Sequence, residues 1–389
     1  MPQSLEIQLH NDSRSSQIYA YVTGISLLPS HQGQRVLLKS NGRDLYFPSS
    51  PAKIMSPLTE DVAIPLGPPG SKKSIHIPQM AGGRIWFARD AKLTFLLNPG
   101  PSLVEPSVLN PADPNAKVDF AFAEFTLNND QLFANISYVD FVPRLPVALT
   151  LQTTSGAVQH VAGMPANGLD KLCSALRAQA QKDHRPWDKL IVPGPKPNQP
   201  PLRCLNPTHG DAVGASFAGY YEPYVEDVWR QYHSQIGKRQ VRINTQAATG
   251  IVLGSVSPAN NTLVVAGESF AKPTTADILG CNTGPFTTGP SAKRNAIIPR
   301  LAAGFLRSTI GEVADQPSGH ETYYRRDPTN HYARVVHEVN LDGKGYAFAY
   351  DDVQPDGGKD QSGKVNAGDP KVWVVSVGGE HAYVGDRMP

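Results

Sequence analysis

The chain has 389 residues, a formal net charge of +2 and a hydrophobic fraction of 40%. This length allows two or three domains with hydrophobic cores of their own. The near-neutral charge, without a long run of Lys or Arg, argues against a nucleic-acid or anionic-membrane partner. No apolar stretch approaches the ~18 residues of a membrane-spanning helix, so we expect no membrane partner. The 34 Gly and 35 Pro residues favour a loop-rich β protein.

The N-terminus and the cysteines leave the compartment open. The opening MPQSLEIQLHND has no basic segment followed by an apolar one, and it predicts a strand. We therefore expect either a cytoplasmic chain or a mature domain without its signal peptide. Cys173, Cys204 and Cys281 allow at most one disulfide, which excludes a disulfide-built scaffold.

Residues 1–100 predict a succession of short strands separated by Gly, Pro and Asn turns. This spacing is typical of an antiparallel sandwich or barrel. The predicted strands are LEIQLHN, QIYAYVTGI, RVLLKS, DLYFPS, SIHIPQM, GRIWFARD and KLTFLLN, followed later by VALTLQT and AVQHVAG.

The pattern changes near Gly163, where helical spacing of apolar residues begins. Three helices are predicted, in GLDKLCSALRAQAQKD, EPYVEDVWRQYHSQ and IIPRLAAGFLRST, the last with Pro299 in its first turn. Strand-like segments form two groups: QVRINTQ, GIVLGSV and TLVVAGE lie before the third helix, and RVVHEVN, GYAFAYDDV and KVWVVSV follow it.

These elements predict a mainly β protein with an inserted α/β part. We expect a β domain formed by residues 1–162 and 334–389, with a mixed α/β domain of residues 163–333 inserted between them. The C-terminal strands would then rejoin the N-terminal sheet.

Two carboxylates stand out in the aromatic stretch FAEFTLNNDQLFANISYVDFV. Glu124 and Asp140 lie on two apolar strands, where burial of an unpaired charge costs several kcal/mol (roughly). A pair of carboxylates is also the minimal equipment for glycoside hydrolysis. The alternative is structural, with each carboxylate paired to an Arg or to backbone donors.

The hairpin register decides whether the two carboxylates meet. A tight turn centred on residues 129–130 places Glu124 and Asp140 on opposite faces of the sheet. A connection centred on Leu132 brings them together. The catalytic interpretation therefore predicts a bulge or a widened loop between residues 126 and 136.

The face of Glu124 suits a sugar. Its alternating neighbours are Phe122, Thr126 and Asn128, which offer an aromatic surface on one side and hydroxyl and amide groups on the other.

Further candidates are less specific. The adjacent Asp351 and Asp352 could bind a cation or line an acidic cleft, although neighbours on a strand point to opposite faces. The histidines at 320, 331 and 337 lack the ligand spacing of a zinc site, so no metal is predicted. Tyr220 belongs to an aromatic cluster that either stacks on sugar rings or packs a helix. No phosphate loop, dinucleotide fingerprint or nucleophile elbow is present, and no cofactor is expected.

Several motifs together resemble glycoside hydrolase family 64, the β-1,3-glucanases with a thaumatin-like β domain that release laminaripentaose. They are HNDSRSSQIYAYVTG, FAEFTLNN, SYVDFVPRLPVALT, YYEPYVEDVW and YAFAYDDV, which extend in one order from about residue 4 to 377.

The resemblance implies an inverting hydrolase with Glu124 as general acid and Asp140 as general base. It also implies that Thr126 and Asn128 contact sugar hydroxyls. Phe133 stands where the family often has Trp, so its stacking surface is smaller.

The resemblance further implies a wide groove between the β and α/β domains, a β-1,3-glucan substrate and a secreted enzyme, although the chain opens without a signal peptide. We expect a monomer. Weaker candidates for carboxylates in the groove are Asp113, Asp119, Asp351 and Asp352. A competing hypothesis is a non-catalytic thaumatin-like protein that binds β-1,3-glucan. A third is a metal-dependent activity through Asp351, Asp352 or His331.

Overall fold

The structure is a computed structural model that describes residues 4–379. The ends of the predicted β domain, residues 1–3 and 380–389, lie outside the described residues. Within residues 4–379 the protein is mostly β, with several sheets and few helices. The largest sheet has two free ends, β23 and β4 in the numbering given next, so it does not close into a barrel.

The strands are β1 Ser4–Asn11, β2 Ile18–Ser26, β3 Arg35–Leu38, β4 Leu45–Tyr46, β5 Ser56–Pro57, β6 Ile64–Pro65, β7 Lys72–Pro78, β8 Met80–Arg89, β9 Leu96–Asn98, β10 Ser102–Val104, β11 Asp119–Leu127, β12 Leu132–Ile136, β13 Phe141–Pro143, β14 Val147–Thr153, β15 Val158–Val161, β16 Ile191–Val192, β17 Arg203–Leu205, β18 Val241–Asn244, β19 Ile251–Val256, β20 Leu263–Val265, β21 Glu268–Phe270, β22 Asp315–Gln316, β23 Lys364–Ala367 and β24 Pro370–Val377. The α-helices are α1 Gly168–Asp183, α2 Glu222–Tyr232, α3 Thr275–Gly280, α4 Ala292–Leu306 and α5 His331–Val339. Short 3-10 helices cover Pro29–His31, Trp187–Leu190, Pro207–Val213, Gly284–Phe286 and His320–Thr322.

Two sheets pack face to face around the main core. One has the order β15-β14-β24-β1-β7, and the other contains β23-β12-β11-β8-β2-β3-β4 with β6 beside β2. The Phe125 ring of β11 meets the Trp373 ring of β24 edge-on at 5.4 Å between centroids. Apolar residues at alternate positions of β1 and β11 fill the space between the sheets, as a period of two requires.

The second face of the larger sheet carries a separate aromatic cluster. Its centre is Trp86, whose ring lies 4.9 Å from that of Phe122 and 6.0 Å from that of Phe120. Phe141 packs against both phenylalanines. This cluster lies directly beside the charged residues described in the next subsection.

Most predicted elements near the N-terminus are confirmed, and so are the helices α1 and α2. The strand KVWVVSV is also confirmed: β24 lies between the N-terminal strand β1 and strand β14. The segment 163–333 contributes four of the five α-helices of the described chain entirely, and the sheet β21-β20-β19-β18-β22. The division into two domains stays a prediction.

Two predictions near the C-terminus are wrong. RVVHEVN is not a strand, because Asn330 caps a helix there by accepting a hydrogen bond from the Ala333 N–H at 3.0 Å. Its valines face the core with helical spacing, and α5 crosses the predicted boundary between residues 333 and 334. GYAFAYDDV forms turns, since the Ala347 N–H donates to Asp351 and not to a neighbouring strand.

Pro299 does not lie in the first turn of its helix. Ser291 caps α4 by accepting from the Arg294 N–H, so the helix begins at Ala292 and Pro299 lies inside it. The three cysteines are all buried and unpaired, so the one possible disulfide is absent.

Candidate active site

The hairpin that carries Glu124 has a tight turn. Leu127 pairs with Leu132, and the Asn128 Oδ1 accepts hydrogen bonds from the N–H groups of Asp130 and Gln131, each at 2.9 Å. The register between β11 and β12 is regular from residue 123 to 127. The predicted bulge or widened loop between residues 126 and 136 is therefore wrong.

The alternation of side chains along a strand does not determine the direction of Asp140, because Asp140 does not lie on a strand. β12 ends at Ile136, and the chain turns away through residues 137–140 before β13 begins. This loop is held by distant backbone groups: the Tyr138 N–H donates to Tyr346 O at 2.7 Å, and the Asn206 N–H donates to Asp140 O at 2.9 Å. Its course is independent of the hairpin register.

Glu124 lies in a row of polar side chains that crosses four strands. In the strand register, Glu124 lies opposite Asn135 on β12 and opposite Arg84 on β8. Thr23 on β2 continues the row beyond Arg84. The Asn135 Oδ1 is buried and has no hydrogen-bond partner in the structure.

Arg84 joins two carboxylates. Its Nε and Nη2 lie 3.3 and 3.2 Å from Glu124 Oε1, and its Nη1 lies 3.0 Å from Glu105 Oε2. The guanidinium also lies over the Phe122 ring, 4.8 Å from its centroid. Glu124 remains accessible, with 35% of its side chain exposed.

Arg84, Glu105 and Glu124 line a cleft of about 400 Å³. Of the residues predicted from sequence, it contains Glu124, Thr126 and Phe133. Sequence reasoning missed Arg84, Glu105 and Asn135, although the tight turn, once accepted, places Asn135 opposite Glu124. The lining is Gly82, Gly83, Arg84, Glu105, Glu124, Phe125, Thr126, Phe133 and Asn135.

The surroundings of Glu124 favour its protonated form. Burial raises the pKa of Glu124 above its ordinary value, and Arg84 acts against this rise. The negative charges of Asp140 and Glu105 raise that pKa further.

The surroundings of Asp140 favour its ionised form. His209 Nε2 lies 3.1 Å from Asp140 Oδ1, and this hydrogen bond lowers the pKa of Asp140. Burial opposes the shift, while the charges of His209 and Arg84 support it. Two carboxylates with pKa values moved in opposite directions are suited to act as an acid and a base.

The comparison with protein families identifies the family of the chain. The model of glycoside hydrolase family 64, described as Beta-1,3-glucanase, matches residues 3–377. The chain belongs to this family.

Relatives and solved structures of family 64 extend the match. A glucan endo-1,3-β-glucosidase of Arthrobacter sp. (strain YCWD3) is 29% identical over 72% of this chain. That alignment covers 50% of the relative, so the chain spans about half the length of the curated protein it matches. The crystal structure of a laminaripentaose-producing β-1,3-glucanase in complex with laminaritetraose is 29% identical, with a TM-score of 0.83, and covers 97% of this chain and 99% of that one. A β-1,3-glucanase domain from Clostridium beijerinckii, 21% identical with a TM-score of 0.73 over 97% of this chain and 98% of its own, shares the fold.

His209 provides a first test of the site of this family 64 chain. His209→Leu removes the hydrogen bond that lowers the pKa of Asp140, so that pKa should rise. A base must be ionised, so activity is lost as pH falls through its pKa, and the acidic limb of the pH–rate profile should move to higher pH.

The matched control is His320→Leu, because His320 also lies beside a carboxylate, 3.5 Å from Glu321. The acidic limb of the pH–rate profile of His320→Leu should lie at the same pH as in the unmodified protein. An unchanged limb in His209→Leu would contradict the assignment of Asp140 as the titrating base.

Asn128 and Asp113 have turn-forming roles in the structure. Asn128 Oδ1 is occupied by the hairpin turn described above. Asp113 Oδ1 accepts from the Asn115 N–H at 2.7 Å, and its Oδ2 accepts from the Ser107 N–H at 3.2 Å. Their predicted contacts with sugar stay predictions.

Two predicted contacts with substrate are wrong. Tyr220 is buried, and its hydroxyl donates to Thr329 O at 3.0 Å, so its ring packs in the core. Asp351 is completely buried and pairs with Arg307 at 3.0 Å and with His337 at 3.1 Å. Neither side chain faces a groove.

The remaining carboxylates lie apart from the cleft lining. Asp119 is at the far end of β11 on the face opposite to Glu124, where it pairs with Arg89 at 2.5 Å. Asp352 is exposed and is hydrogen-bonded with Tyr346.

Within residues 4–379, no group of three or more His, Cys, Asp or Glu side chains is arranged to hold a metal ion. No helix in that range is long and apolar enough to cross a membrane.

Asp351 should act on stability and not on sugar binding. Burial opposes its ionisation, but His337 and Arg307 lower its pKa, so it is an ionised partner for both. Asp351→Asn leaves buried charge uncompensated and should lower the free energy of unfolding by about 3–5 kcal/mol, measured by denaturant titration.

Its exposed neighbour supplies the control. Asp352→Asn should change the free energy of unfolding by less than about 0.5 kcal/mol. An Asp351→Asn variant of full stability with weakened glucan binding would show that the carboxylate serves the substrate after all.

Proposed function

We propose that this protein is an inverting β-1,3-glucanase in which Glu124 is the general acid and Asp140 the general base. The observation that carries the proposal is the opposite displacement of the two pKa values, in carboxylates close enough for Asp140 to raise the pKa of Glu124. Membership of family 64 supplies the substrate class.

The chemistry needs only these two groups and a water molecule. Protonated Glu124 donates its proton to the glycosidic oxygen as the bond from that oxygen to the anomeric carbon breaks. Asp140 takes a proton from the water that attacks the anomeric carbon from the opposite face of the ring. Both transfers are proton transfers, and no cofactor or metal takes part.

The cleft offers both kinds of contact that a glucan chain requires. Phe133 supplies aromatic surface, while Thr126 and the Asn135 Oδ1 supply a hydroxyl and an acceptor. The products would be short laminari-oligosaccharides, with laminaripentaose as the main one. The last point rests on similarity to a laminaripentaose-producing enzyme.

The wider setting follows from the same proposal. The sandwich of β1–β15 with β23 and β24 is of the thaumatin-like type, and residues 163–333 form the other wall of a wide groove. His209, which lies in that second segment, reaches Asp140 and supports this arrangement. A monomer acting outside the cell suits an insoluble polymeric substrate that cannot cross a membrane.

Incubation with curdlan or laminarin tests the proposal. We expect soluble laminari-oligosaccharides, and NMR of the first products should show the α-anomer at the new reducing end. Binding to insoluble glucan without release of sugar would indicate a non-catalytic glucan-binding protein. A β-anomer would indicate a retaining mechanism, in which the second carboxylate is a nucleophile.

A further inference from the structure

Glu105 lies outside the acid–base pair and yet contacts it through a single residue. It directly follows β10 and reaches across to the larger sheet, where its Oε2 lies 3.0 Å from Arg84 Nη1. Its other oxygen accepts a hydrogen bond from Thr23 Oγ1 at 2.7 Å. Thr23 Oγ1 in turn accepts from the Trp86 indole N–H at 3.1 Å. Both oxygens of Glu105 are therefore fixed.

Arg84 is held more closely by Glu105 than by Glu124. Its two contacts with Glu124 are longer, 3.2 and 3.3 Å, and both go to Oε1, so they do not form the parallel two-oxygen pair that makes an Arg–carboxylate bridge strong. Because Oε1 accepts both N–H groups, a proton on Glu124 belongs on Oε2.

We propose that Glu105 is a positioning residue of the reaction, which holds Arg84 away from full pairing with Glu124 so that the acid keeps its proton. This role rests on the proposed function of Glu124. One guanidinium faces two carboxylates here, with Asp140 as a third negative charge, and a proton on Glu124 relieves this excess of negative charge. The charge of Glu105 also acts directly, since it raises the pKa of Glu124.

The other charged groups around this corner are accounted for. Asp140 lies in the loop before β13 and its charge acts on Glu124, while His209 Nε2 lies 3.1 Å from Asp140 Oδ1. Lys364 on β23 lies opposite Asn135, two strands away from Glu124, and pairs with Asp360 at 3.7 Å. Arg84 is thus the cation in direct contact with the acid in the described chain.

Glu105→Gln tests the proposal, since it keeps the shape of the side chain and removes its charge. Arg84 then becomes available to Glu124 and should stabilise the ionised acid. Because a general acid acts only when protonated, the alkaline limb of the kcat profile should move to lower pH, by about one unit. Glu105→Asp, which retains the charge, should move the limb back toward its original position.

Two further variants separate this role from a structural one. Glu226 on α2 pairs with Lys272 at 2.6 Å. Glu226→Gln removes this carboxylate and should leave the alkaline limb of the kcat profile unchanged. In an Arg84→Met background, Glu105→Gln should give a smaller shift, because the arginine through which Glu105 acts is gone. An unmoved alkaline limb in Glu105→Gln, or a shift of full size without Arg84, would overturn the proposal.

Carboxyl ¹³C NMR reads the same effect without turnover. With the Glu124 signal assigned through Glu124→Gln, the pKa of Glu124 should be lower in Glu105→Gln than in the unmodified protein. If the unmodified protein releases no sugar from glucan while this difference is present, the proposed function fails and the effect of Glu105 on the proton of Glu124 stands. If glucan is hydrolysed and the signal of Glu124 titrates identically in both proteins, the role of Glu105 fails.

Discussion

Glu124→Gln is expected to lower the rate of curdlan and laminarin hydrolysis by several orders of magnitude, about 10²–10⁴ from the loss of general acid catalysis alone. The amide cannot release a proton to the glycosidic oxygen at neutral pH. Its carbonyl oxygen can still accept the Arg84 N–H groups that now meet Glu124 Oε1, so the fold should persist. Initial rates at saturating substrate, together with thermal unfolding, measure both effects.

An activated substrate distinguishes an acid from any other essential group. In a dinitrophenyl glycoside of a laminari-oligosaccharide, the dinitrophenolate leaves without needing a proton. Glu124→Gln should therefore hydrolyse this substrate at a rate close to that of the unmodified enzyme. Substantial hydrolysis of curdlan by Glu124→Gln, or equal loss on both substrates, would show that Glu124 is not the acid.

Asp140→Asn should cause a loss of similar size for a different reason. The amide cannot take a proton from the attacking water, so deprotonation of the nucleophile is no longer assisted, and we expect a fall of about 10²–10⁴ in kcat. Because 43% of the Asp140 side chain is exposed and its His209 contact involves one oxygen, the substitution should leave the fold unchanged.

The activated substrate gives the opposite result for this variant. Leaving-group activation does not replace the base, so Asp140→Asn should stay slow on the dinitrophenyl glycoside. Added azide, a nucleophile without a proton to lose, should restore turnover and yield the α-glycosyl azide. A fast Asp140→Asn enzyme without azide would exclude Asp140 as the base.

The strand around Glu124 shows why this part of the site could be predicted from the sequence. Alternation along β11 directs Glu124 and Thr126 to the same face, and a period of two depends only on the strand itself. The structure confirms that face, since both residues line the cleft with Phe133 opposite Thr126. Hydrophobic periodicity likewise predicted α1 and α2, where helix spacing and burial coincide.

The rest of the site depends on contacts between distant parts of the chain. The register argument failed because it continued β12 as far as Asp140, whereas the strand ends at Ile136 and the loop is tied to Asn206 and Tyr346. Aromatic residues and alanines alternate in the segment before Asp351 with the period of two of a strand. The segment forms turns instead, because the buried Asp351 carboxylate accepts hydrogen bonds from the Ala347 N–H and from Arg307. The bonds of Tyr138 with Tyr346, of Asp140 with Asn206 and of Asp351 with Arg307 join residues at least 44 positions apart, and no local pattern encodes them.

By itself, the sequence determined the family, the mainly β class and the direction of Glu124, and it proposed the two carboxylates as candidates, because strand parity, composition and ordered motifs are local properties. Only the tertiary structure decided that a tight hairpin is compatible with the pair, since the approach of Asp140 is set by hydrogen bonds to remote backbone groups. It also decided that the two pKa values shift in opposite directions. Burial, Arg84, Glu105 and His209 come together only when β8, β10, β11 and the segment after β17 are packed, and their summed effect raises the pKa of Glu124 and lowers that of Asp140.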